Sequence, residues 1–324
     1  MSSPHAASPA ATCPPASPAA RSVAASPAAR RVAACIAATA FALALALSPA
    51  GRAGVLHTEK SLYRNIVVYE ADGLRCMKFG RYEGGRQSCM SLEHPNHLVF
   101  DYTKMMMGAL YLNPAPARVL VIGLGGGTLP SALQRIFPAI RIDAVEIDPA
   151  VVRVAKTHFG WAPGAQTRVF EEDGRVFVKR AARRGEKYDL IMLDAFDHEY
   201  IPEHLLTREF LLEVRRLLAE GGVLAANTFS SSRLYHHESA TYHSAFGDFY
   251  SLKKSNRVIL LRVGGLPDKA ALAKNAEAVQ AKLAPFGTGS HWLLPLFAIE
   301  SGWPAGTRIL TDQYSPSNLL NAGS

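Results

Sequence analysis

A glycine-rich turn between an apolar strand and a helix constrains this chain more than any other feature. Residues 119–122 are apolar and mostly β-branched, which is typical of a strand buried on both faces of a parallel sheet. Glycines follow at once, at Gly123, Gly125, Gly126 and Gly127. Because glycine permits a tight turn and lets a ligand approach the backbone closely, the pattern predicts a βαβ unit with a ligand-binding turn.

The residues after the glycines extend this unit. A helix is expected to begin near Leu129 or Pro130, since proline suits a first helical turn. The second strand, residues 142–147, contains Glu146 and leads to Asp148. An acid about 20 residues after the glycines is placed to bind the two ribose hydroxyls of a nucleoside. The alternative is a plain βαβ unit in which the glycines only form the turn.

Strands and helices alternate along the central part of the chain, which predicts an α/β fold with a doubly wound, mostly parallel sheet. Three further parallel strands are expected at 167–170, 188–193 and 223–228, then a closing pair at 246–252 and 257–263. Helices are expected at 149–158, 175–184 and 207–218, the last capped by the glycines at 221 and 222.

The chain divides into four segments by composition and pattern. Residues 54–113 form a small β-rich domain, with strands at 65–69, 74–79 and 87–92 and a helix at 102–112. Residues 114–265 form the Rossmann-like domain, and residues 266–324 a helical and irregular extension. The remaining segment, residues 1–53, is a leader.

The leader resembles a secretory signal peptide. Residues 1–31 are rich in Ala, Ser and Pro, a composition that cannot bury a core. Arg30 and Arg31 precede a 16-residue apolar run at 32–47, which small residues follow. We therefore expect export to the periplasm, or an anchor in the inner membrane as the second reading. A cytoplasmic protein results if the true start codon lies downstream, and a buried N-terminal helix is a further alternative.

The charge of the chain gives no indication of nucleic-acid binding. The formal net charge is +8, but the first 53 residues contribute four arginines and no acid, which leaves +4 for the rest. A basic run with interleaved aromatic residues is also lacking in the sequence. Outside the leader the cysteines are Cys76 and Cys89, and a disulfide and two free thiols are equally compatible with their spacing.

Ligands of such sheets bind at the carboxyl ends of the strands, and acids stand at several of these ends. Asp173 can accept a hydrogen bond from an adenine amino group. Asp194 and Asp197, three residues apart on a loop, suit a cationic amine, since one can hold an ammonium while the other accepts a proton. This layout favours a class I S-adenosylmethionine-type pocket over a dinucleotide site. A metal site at His236, His237 and His243 is not expected, because a solvated helix explains them better.

At these positions the chain resembles the spermidine synthases, the polyamine aminopropyltransferases. The resemblance runs from about residue 62 to residue 263 and rests on motifs at 121–129, 145–148, 173–174, 194–197 and 205–207. It implies decarboxylated S-adenosylmethionine as a co-substrate, no tightly bound cofactor, an amine such as putrescine as acceptor and methylthioadenosine as by-product. It also implies a homodimer.

The resemblance assigns roles residue by residue. The nucleoside would be bound by Gln87, Glu146, Asp173 and Gly174 together with the glycine loop; Asp194 would be the catalytic acid–base residue. Asp197, Tyr102, Thr103 and Thr128 would face the amine, although the family has a histidine where Thr103 stands and an aspartate where Thr128 stands. Aminopropyl transfer is the leading hypothesis. The alternatives are an S-adenosylmethionine-dependent methyltransferase and a non-catalytic polyamine- or nucleoside-binding protein of the cell envelope.

Overall fold

The computed structural model describes residues 54–80, 85–196, 202–230 and 233–321. The predicted signal peptide or anchor, residues 1–53, and Asp197 lie outside these ranges. Within them, two sheets belong to one compact unit. No helix of the described residues is long and apolar enough to cross a membrane.

The N-terminal sheet is an antiparallel meander of four strands in the order β1-β2-β3-β4. Their bounds are Gly54–Glu59, Ile66–Ala71, Leu74–Phe79 and Arg86–Ser91. Cys76 and Cys89 face each other across β3 and β4 and form a disulfide, so the pairing that the sequence left open is present. The buried face of this sheet, with Ile66, Val68 and Met77, packs against Val151 and Val154.

The large sheet has eight strands in the order β7-β6-β5-β8-β9-β11-β10-β12. Its strands β5 to β9 pair in parallel, and β9, β11, β10 and β12 pair antiparallel. Their bounds are Arg118–Ile122 (β5), Arg141–Glu146 (β6), Thr167–Glu171 (β7), Tyr188–Leu193 (β8), Leu218–Phe229 (β9), Tyr250–Lys253 (β10), Asn256–Arg262 (β11) and Ala298–Ile299 (β12). The predicted mostly parallel sheet with a closing pair is confirmed.

The α-helices cover both faces of this sheet. They are Asp101–Met106 (α1), Ala109–Leu112 (α2), Thr128–Ile136 (α3), Pro149–His158 (α4), Gly174–Arg183 (α5), Arg208–Leu217 (α6), Leu234–Phe246 (α7), Lys269–Leu283 (α8), Ser290–Leu293 (α9) and Ser317–Asn321 (α10). Side chains that the sequence places just before a helix cap several of them. Asp148 accepts from the Ala150 N–H, and Thr207 accepts from the Phe210 N–H.

Strand β5 lies inside the large sheet, and the side chains on its two faces belong to two different buried clusters. Val119 and Val121 belong to one buried cluster, and Leu120 and Ile122 belong to another. The chain runs from β5 outwards to β6 and β7, then returns to β8 on the other side of β5. The sheet therefore reverses its order between β5 and β8, and in open α/β sheets ligands bind at that point.

Three predicted elements need correction. The helix expected at 102–112 is two helices, α1 and α2, because the chain turns at Gly108, where an added Cβ would lie 2.8 Å from the Met105 carbonyl oxygen. Gly221 and Gly222 do not cap α6: β9 begins at once at Leu218, and the glycines lie where its pairing with β8 shifts. The strand expected from residue 246 begins at residue 250.

Candidate functional site

A cavity of about 920 Å³ opens at the carboxyl ends of β5, β6 and β8. Both sheets line it, since strand β4 contributes Gln87 and Ser88. Its size is within the range expected for a pocket that holds a nucleoside and a second small molecule. The predicted site residues that line this cavity are Gln87, Tyr102, Thr103, Gly123, Gly125, Thr128, Glu146, Asp173, Gly174 and Asp194.

The glycine loop between β5 and α3 passes close to neighbouring backbone and side chains. At Gly123, with φ of +92°, an added Cβ would lie 2.1 Å from the Asp194 carbonyl oxygen. Gly126 donates its N–H to Ser88 Oγ at 3.0 Å and so joins the loop to the N-terminal sheet. Gly123 is therefore required for the approach of the β8 end to the β5 end.

Glu146 lies at the end of β6 and is held by the backbone. Its two carboxylate oxygens accept the N–H of Leu124 and that of Asp148, each at 3.0 Å. Each oxygen retains a lone pair for a further donor. Burial raises the pKa of Glu146, while these backbone donors act in the opposite direction. The carboxylate thus has the fixed position and the acceptor capacity that a ribose diol needs.

Asp173 caps helix α5, and this role occupies half of its carboxylate. Oδ1 accepts the N–H groups of Arg175 and Val176 at 2.9 and 3.0 Å. Oδ2 lies 2.8 Å from His204 Nε2. One lone pair of Oδ2 is therefore left for an adenine amino group. His204 was not among the predicted site residues, because its contact with Asp173 joins positions 31 apart in sequence.

Asp194 follows β8 at the point where the sheet order reverses. Its backbone N–H donates to the Ile122 carbonyl at 2.8 Å, which fixes the residue beside the glycine loop. The Tyr102 hydroxyl donates to Oδ2 at 3.2 Å, and Asn227 Nδ2 donates to Oδ1 at 3.0 Å. Tyr102 therefore holds the predicted catalytic carboxylate as well as lining the cavity.

Burial raises the pKa of Asp194 to about 7, and the nearby Glu146 carboxylate acts in the same direction. The hydrogen bonds from Asn227 and Tyr102 oppose the increase. Because Asp194 faces the cavity and is only half-buried, its desolvation is greatest when a substrate fills that cavity. A carboxylate with a pKa near 7 is suited to accept a proton at neutral pH.

The residues predicted to face the amine are only partly accounted for. Thr103 is buried in α1 and donates its hydroxyl to the Phe100 carbonyl at 2.7 Å. Thr128 is half-buried at the start of α3 and lines the cavity. Both hydroxyls are uncharged. The place of Asp197 in the site remains a prediction, because this residue lies outside the described ranges.

Two asparagines belong to the site although the sequence patterns did not indicate them. Asn227 lies two residues before the end of β9, and Asn256 begins β11; both line the cavity. They are brought together by antiparallel pairing of β9 with β11. A lone asparagine near a strand end carries no motif, so only the β9–β11 register could have found them.

The sequence predicted a solvated helix rather than a metal site at the histidines of α7. No cluster of metal-ligating side chains is present among the residues that the structure describes. His236 and His243 are exposed, as a solvated helix predicts. The rest of the helix is largely buried, so the expectation of a solvated helix is wrong for its inner face, where Glu238 pairs with Arg257.

Comparisons with known proteins identify the family of the chain. Residues 99–258 match the spermine/spermidine synthase domain. The chain is 47% identical over 286 residues to a polyamine aminopropyltransferase of Vibrio vulnificus, covering 86% of this chain and 96% of the relative. The chain belongs to the spermine/spermidine synthase family. The resemblance found from the motif residues is confirmed, and the protein is a transferase.

Solved structures confirm the fold of this family member. A probable spermidine synthase from Corynebacterium glutamicum superposes with a TM-score of 0.62 at 19% identity, covering 80% of this chain and 97% of that chain. Human methyltransferase-like protein 13 in complex with SAH gives a TM-score of 0.52 at 26% identity, with 64% and 96% coverage. The class I Rossmann-like fold with a small N-terminal antiparallel sheet is thus confirmed.

Proposed function

We propose that this synthase-family chain transfers an aminopropyl group from decarboxylated S-adenosylmethionine to an amine and releases methylthioadenosine. The observation that carries the proposal is the placement of Asp194. Its carboxylate lies at the sheet reversal, receives hydrogen bonds from Tyr102 and Asn227, and shares one cavity with Glu146. A proton acceptor beside a nucleoside site is what amine alkylation by a nucleoside sulfonium requires.

The nucleoside is assigned to the half of the cavity formed by the glycine loop and the ends of β6 and β7. Glu146 would accept both ribose hydroxyls, and Asp173 Oδ2 would accept the adenine amino group. Gln87, from β4, would contact the nucleoside across the cavity. These roles fit the lone pairs that backbone donors and His204 leave unused.

The reaction would proceed by direct displacement. The nitrogen lone pair of a neutral amine attacks the methylene beside the sulfonium, a C–N bond forms, and the C–S bond breaks with its electrons passing to sulfur. Asp194 accepts the proton that the new ammonium centre releases. Because the reacting groups need only be brought into line, their positioning supplies most of the rate. No metal or redox partner is needed for this balance.

The acceptor half of the cavity favours an amine with fewer charged ammonium groups than putrescine, or a longer polyamine. Putrescine carries two ammonium groups, and each needs compensating acceptors once it leaves water. Thr103 and Thr128 offer neutral oxygens, which recover only part of a charge-assisted hydrogen bond. Phe196 and Phe229 add aromatic surface to the cavity, on which an alkyl chain or a cation could lie.

The test is incubation with decarboxylated S-adenosylmethionine and a panel of amines, with methylthioadenosine measured by chromatography. The panel contains putrescine, cadaverine, spermidine and a monoamine. We expect amine-dependent methylthioadenosine from the wild type and its near loss in Asp194→Asn. Absence of methylthioadenosine with every amine, from protein that binds methylthioadenosine in calorimetry, would leave a binding protein as the better explanation.

A methyltransferase remains the second candidate because of one observation. The structural neighbour crystallised with SAH is 26% identical and spans 64% of this chain, and its product nucleoside would suit the same half of the cavity. Release of S-adenosylhomocysteine from intact S-adenosylmethionine, exceeding methylthioadenosine formation under matched conditions, would favour this candidate.

The cellular setting is proposed from the leader and the disulfide. The leader predicted from the sequence, followed by a domain with the Cys76–Cys89 bridge, favours an oxidising compartment, with the protein either periplasmic or held by the leader as an inner-membrane anchor. A fusion of residues 1–53 to alkaline phosphatase tests export, and fractionation tests anchoring. The homodimer is a separate proposal, tested by light scattering.

A further inference from the structure

Two asparagine side chains form a directed chain of hydrogen bonds that ends on Asp194. Asn256 Nδ2 donates to Asn227 Oδ1 at 3.3 Å, and Asn227 Nδ2 donates to Asp194 Oδ1 at 3.0 Å. Asn227 is 8% exposed, and Asn256 is half-buried at the rim of the cavity. Both amides thus point their N–H groups towards the carboxylate.

The direction of these two hydrogen bonds follows from the chemistry of Asp194, the last acceptor. An ionised carboxylate only accepts hydrogen bonds, so Asn227 must present its NH₂ group to Asp194. This leaves the Asn227 carbonyl facing Asn256, which must then supply a donor. Asn256 meets that requirement with its own NH₂ group. Each amide therefore fixes the orientation of the next one, and neighbouring bonds strengthen each other.

The backbone that carries the two asparagines is fixed by a buried ion pair. Arg257 follows Asn256, and its side chain donates to Thr228 Oγ1 at 2.8 Å and to Glu238 Oε2 at 2.9 Å. The side chains of Arg257 and Glu238 are both fully buried. Because Thr228 follows Asn227, the hydrogen bond from Arg257 to Thr228 ties together the two strand ends from which the amides project.

We infer that Asn256 is a positioning residue for the reaction: through the amide of Asn227 it keeps the Asp194 carboxylate oriented and ready to accept the proton of the amine. The inference rests on the proposed function of Asp194. Asn256 itself makes no contact with Asp194 among the described hydrogen bonds. Its effect must therefore disappear when Asn227 is absent.

The other groups around Asp194 define what else could set its protonation. From α1, Tyr102 donates to Oδ2, and from β6, Glu146 lies near enough to disfavour the ionised form. Among the residues that the structure describes, the remaining charged or titratable groups that line the cavity are Tyr63, Arg64, Arg86, Asp148, Glu172, Asp173 and His204. None of these groups is altered by a change at Asn256, so the test isolates the amide chain.

The decisive variant is Asn256→Asp, because it replaces a donor by a group of the same shape that only accepts. The new carboxylate would attract the Asn227 NH₂ group, and the amide would turn its carbonyl oxygen towards Asp194. Two facing oxygens disfavour the ionised form of Asp194. We expect its pKa to rise by one unit or more, and kcat at pH 7 to fall about tenfold while the KM for the nucleoside changes less than twofold.

Two readouts and two controls test this expectation. The titration of Asp194 is followed by NMR of ¹³C-labelled aspartate carboxyls, with Asp194→Asn to assign the signal, and the pH profile of kcat is measured in parallel. Asn275→Asp is the matched control, since Asn275 bonds the Tyr111 carbonyl on α2; it should shift neither readout. In the background of Asn227→Ala, the added change Asn256→Asp should shift the titration by less than 0.3 unit.

The outcomes separate clearly. An equal shift with and without Asn227 would show that the new charge acts through space, and an unshifted titration would show that the amides do not orient Asp194; either overturns the inference. If the wild type transfers no aminopropyl group, the proposed function fails while the NMR titration still tests the amide chain. Should Asn256→Asp not fold, Asn256→Ala replaces it, with a smaller upward shift expected and an unchanged titration again counting against the inference.

Discussion

The two halves of the cavity are built by different means. In the nucleoside half, Glu146 accepts two backbone N–H groups, and Asp173 accepts two more at the start of α5. In the acceptor half, Asp194 is held by side chains, from Tyr102 and Asn227. The nucleoside half therefore depends on the path of the main chain, whereas the acceptor half depends on which side chains stand around it.

This difference explains how one fold can keep a donor and change an acceptor. Donors on the main chain survive substitution of the residues that carry them, so the positions of Glu146 and Asp173 change only if a loop or helix start moves. A side-chain donor is lost by a single substitution. The neutral Thr103 and Thr128 stand in the acceptor half, at positions where the family has a histidine and an aspartate.

The largest expected effect is that of Asp194→Asn. The amide cannot take up the amine proton, so we expect turnover to fall by about 10²- to 10⁴-fold, with methylthioadenosine affinity unchanged within threefold. In the wild type kcat should rise with pH through about 7, because only the ionised form of Asp194 accepts a proton. Steady-state kinetics measures the turnover, and calorimetry measures the methylthioadenosine affinity. A loss of turnover under threefold would show that Asp194 is not the proton acceptor.

A stability measurement distinguishes lost chemistry from lost folding in this variant. Because the folded-state pKa of Asp194 is raised, its ionised form destabilises the wild type progressively as the pH rises from about 4 to about 7. The asparagine variant lacks this penalty. The full shift of the Asp194 pKa corresponds to about 4 kcal/mol, and solvent in the open cavity screens about half of this. At pH 8 we therefore expect the free energy of unfolding of the variant to exceed that of the wild type by about 2 kcal/mol, and at pH 4 to be equal to it. Urea unfolding at both pH values checks this.

The next largest effect concerns the half held by the main chain. In Glu146→Gln the amide group would meet the N–H of Leu124 or Asp148, and the ribose would lose a charged acceptor. We expect methylthioadenosine affinity to fall about 10- to 100-fold, with little change in amine preference. The matched control is Glu171→Gln, an exposed acid on neighbouring strand β7. An altered order of amine preference would break the division between the two halves.

The nucleoside half of the cavity, which the main chain holds, is predicted well from the sequence. The apolar run of β5, the glycine loop and the acids at the ends of β6 and β7 are local patterns, and the strands, the helices and the ligand-binding edge follow from them. That Asp148 and Asp173 also cap helices is seen only in the structure. The failures fall where distant contacts override local signals. Gly221 and Gly222 are suitable for a helix cap, yet the pairing of β9 with β8 places them in a strand irregularity.

The acceptor half of the cavity, which side chains hold, could be predicted only where a family motif exists. Asp194 was found because it ends a strand in a recognisable motif. Asn227 and Asn256 were not, and neither was His204 in the nucleoside half, since each acquires its role from a contact with a residue far away in sequence. Single-sequence patterns contain the residue types but not the β9–β11 register that brings two amides to one carboxylate.

A smaller effect is expected when charge is returned to the acceptor half. In Thr128→Asp the new carboxylate stands in the first turn of α3, where the helix dipole favours it. We expect the ratio of kcat/KM for putrescine to that for a monoamine to rise about tenfold, or about 1.4 kcal/mol, at unchanged nucleoside affinity. Thr157→Asp, on the exposed face of α4, is the control. A wild type that already prefers putrescine by tenfold would show that the threonine is a neutral replacement.

The smallest expected effect comes from a part of the nucleoside half that side chains hold. Asp312, in the C-terminal extension, accepts two hydrogen bonds from Arg175 and one from Thr207, all at 2.7 Å. Arg175 also donates to the His204 carbonyl. Through Arg175, the extension therefore holds the part of the cavity wall that contains His204, the residue that contacts Asp173. If side-chain support permits adjustment, Asp312→Ala should let this wall relax without moving Glu146.

We therefore expect Asp312→Ala to raise the KM for the nucleoside two- to fivefold, with kcat within twofold of the wild type. Asp268→Ala is the matched control, because Asp268 is a capping carboxylate of α8; it should lower stability and leave both constants unchanged. Steady-state kinetics and thermal unfolding of the two variants supply the comparison. A KM increase of tenfold or more would equal the effect of Glu146→Gln, and support by side chains would then be as rigid as support by the main chain.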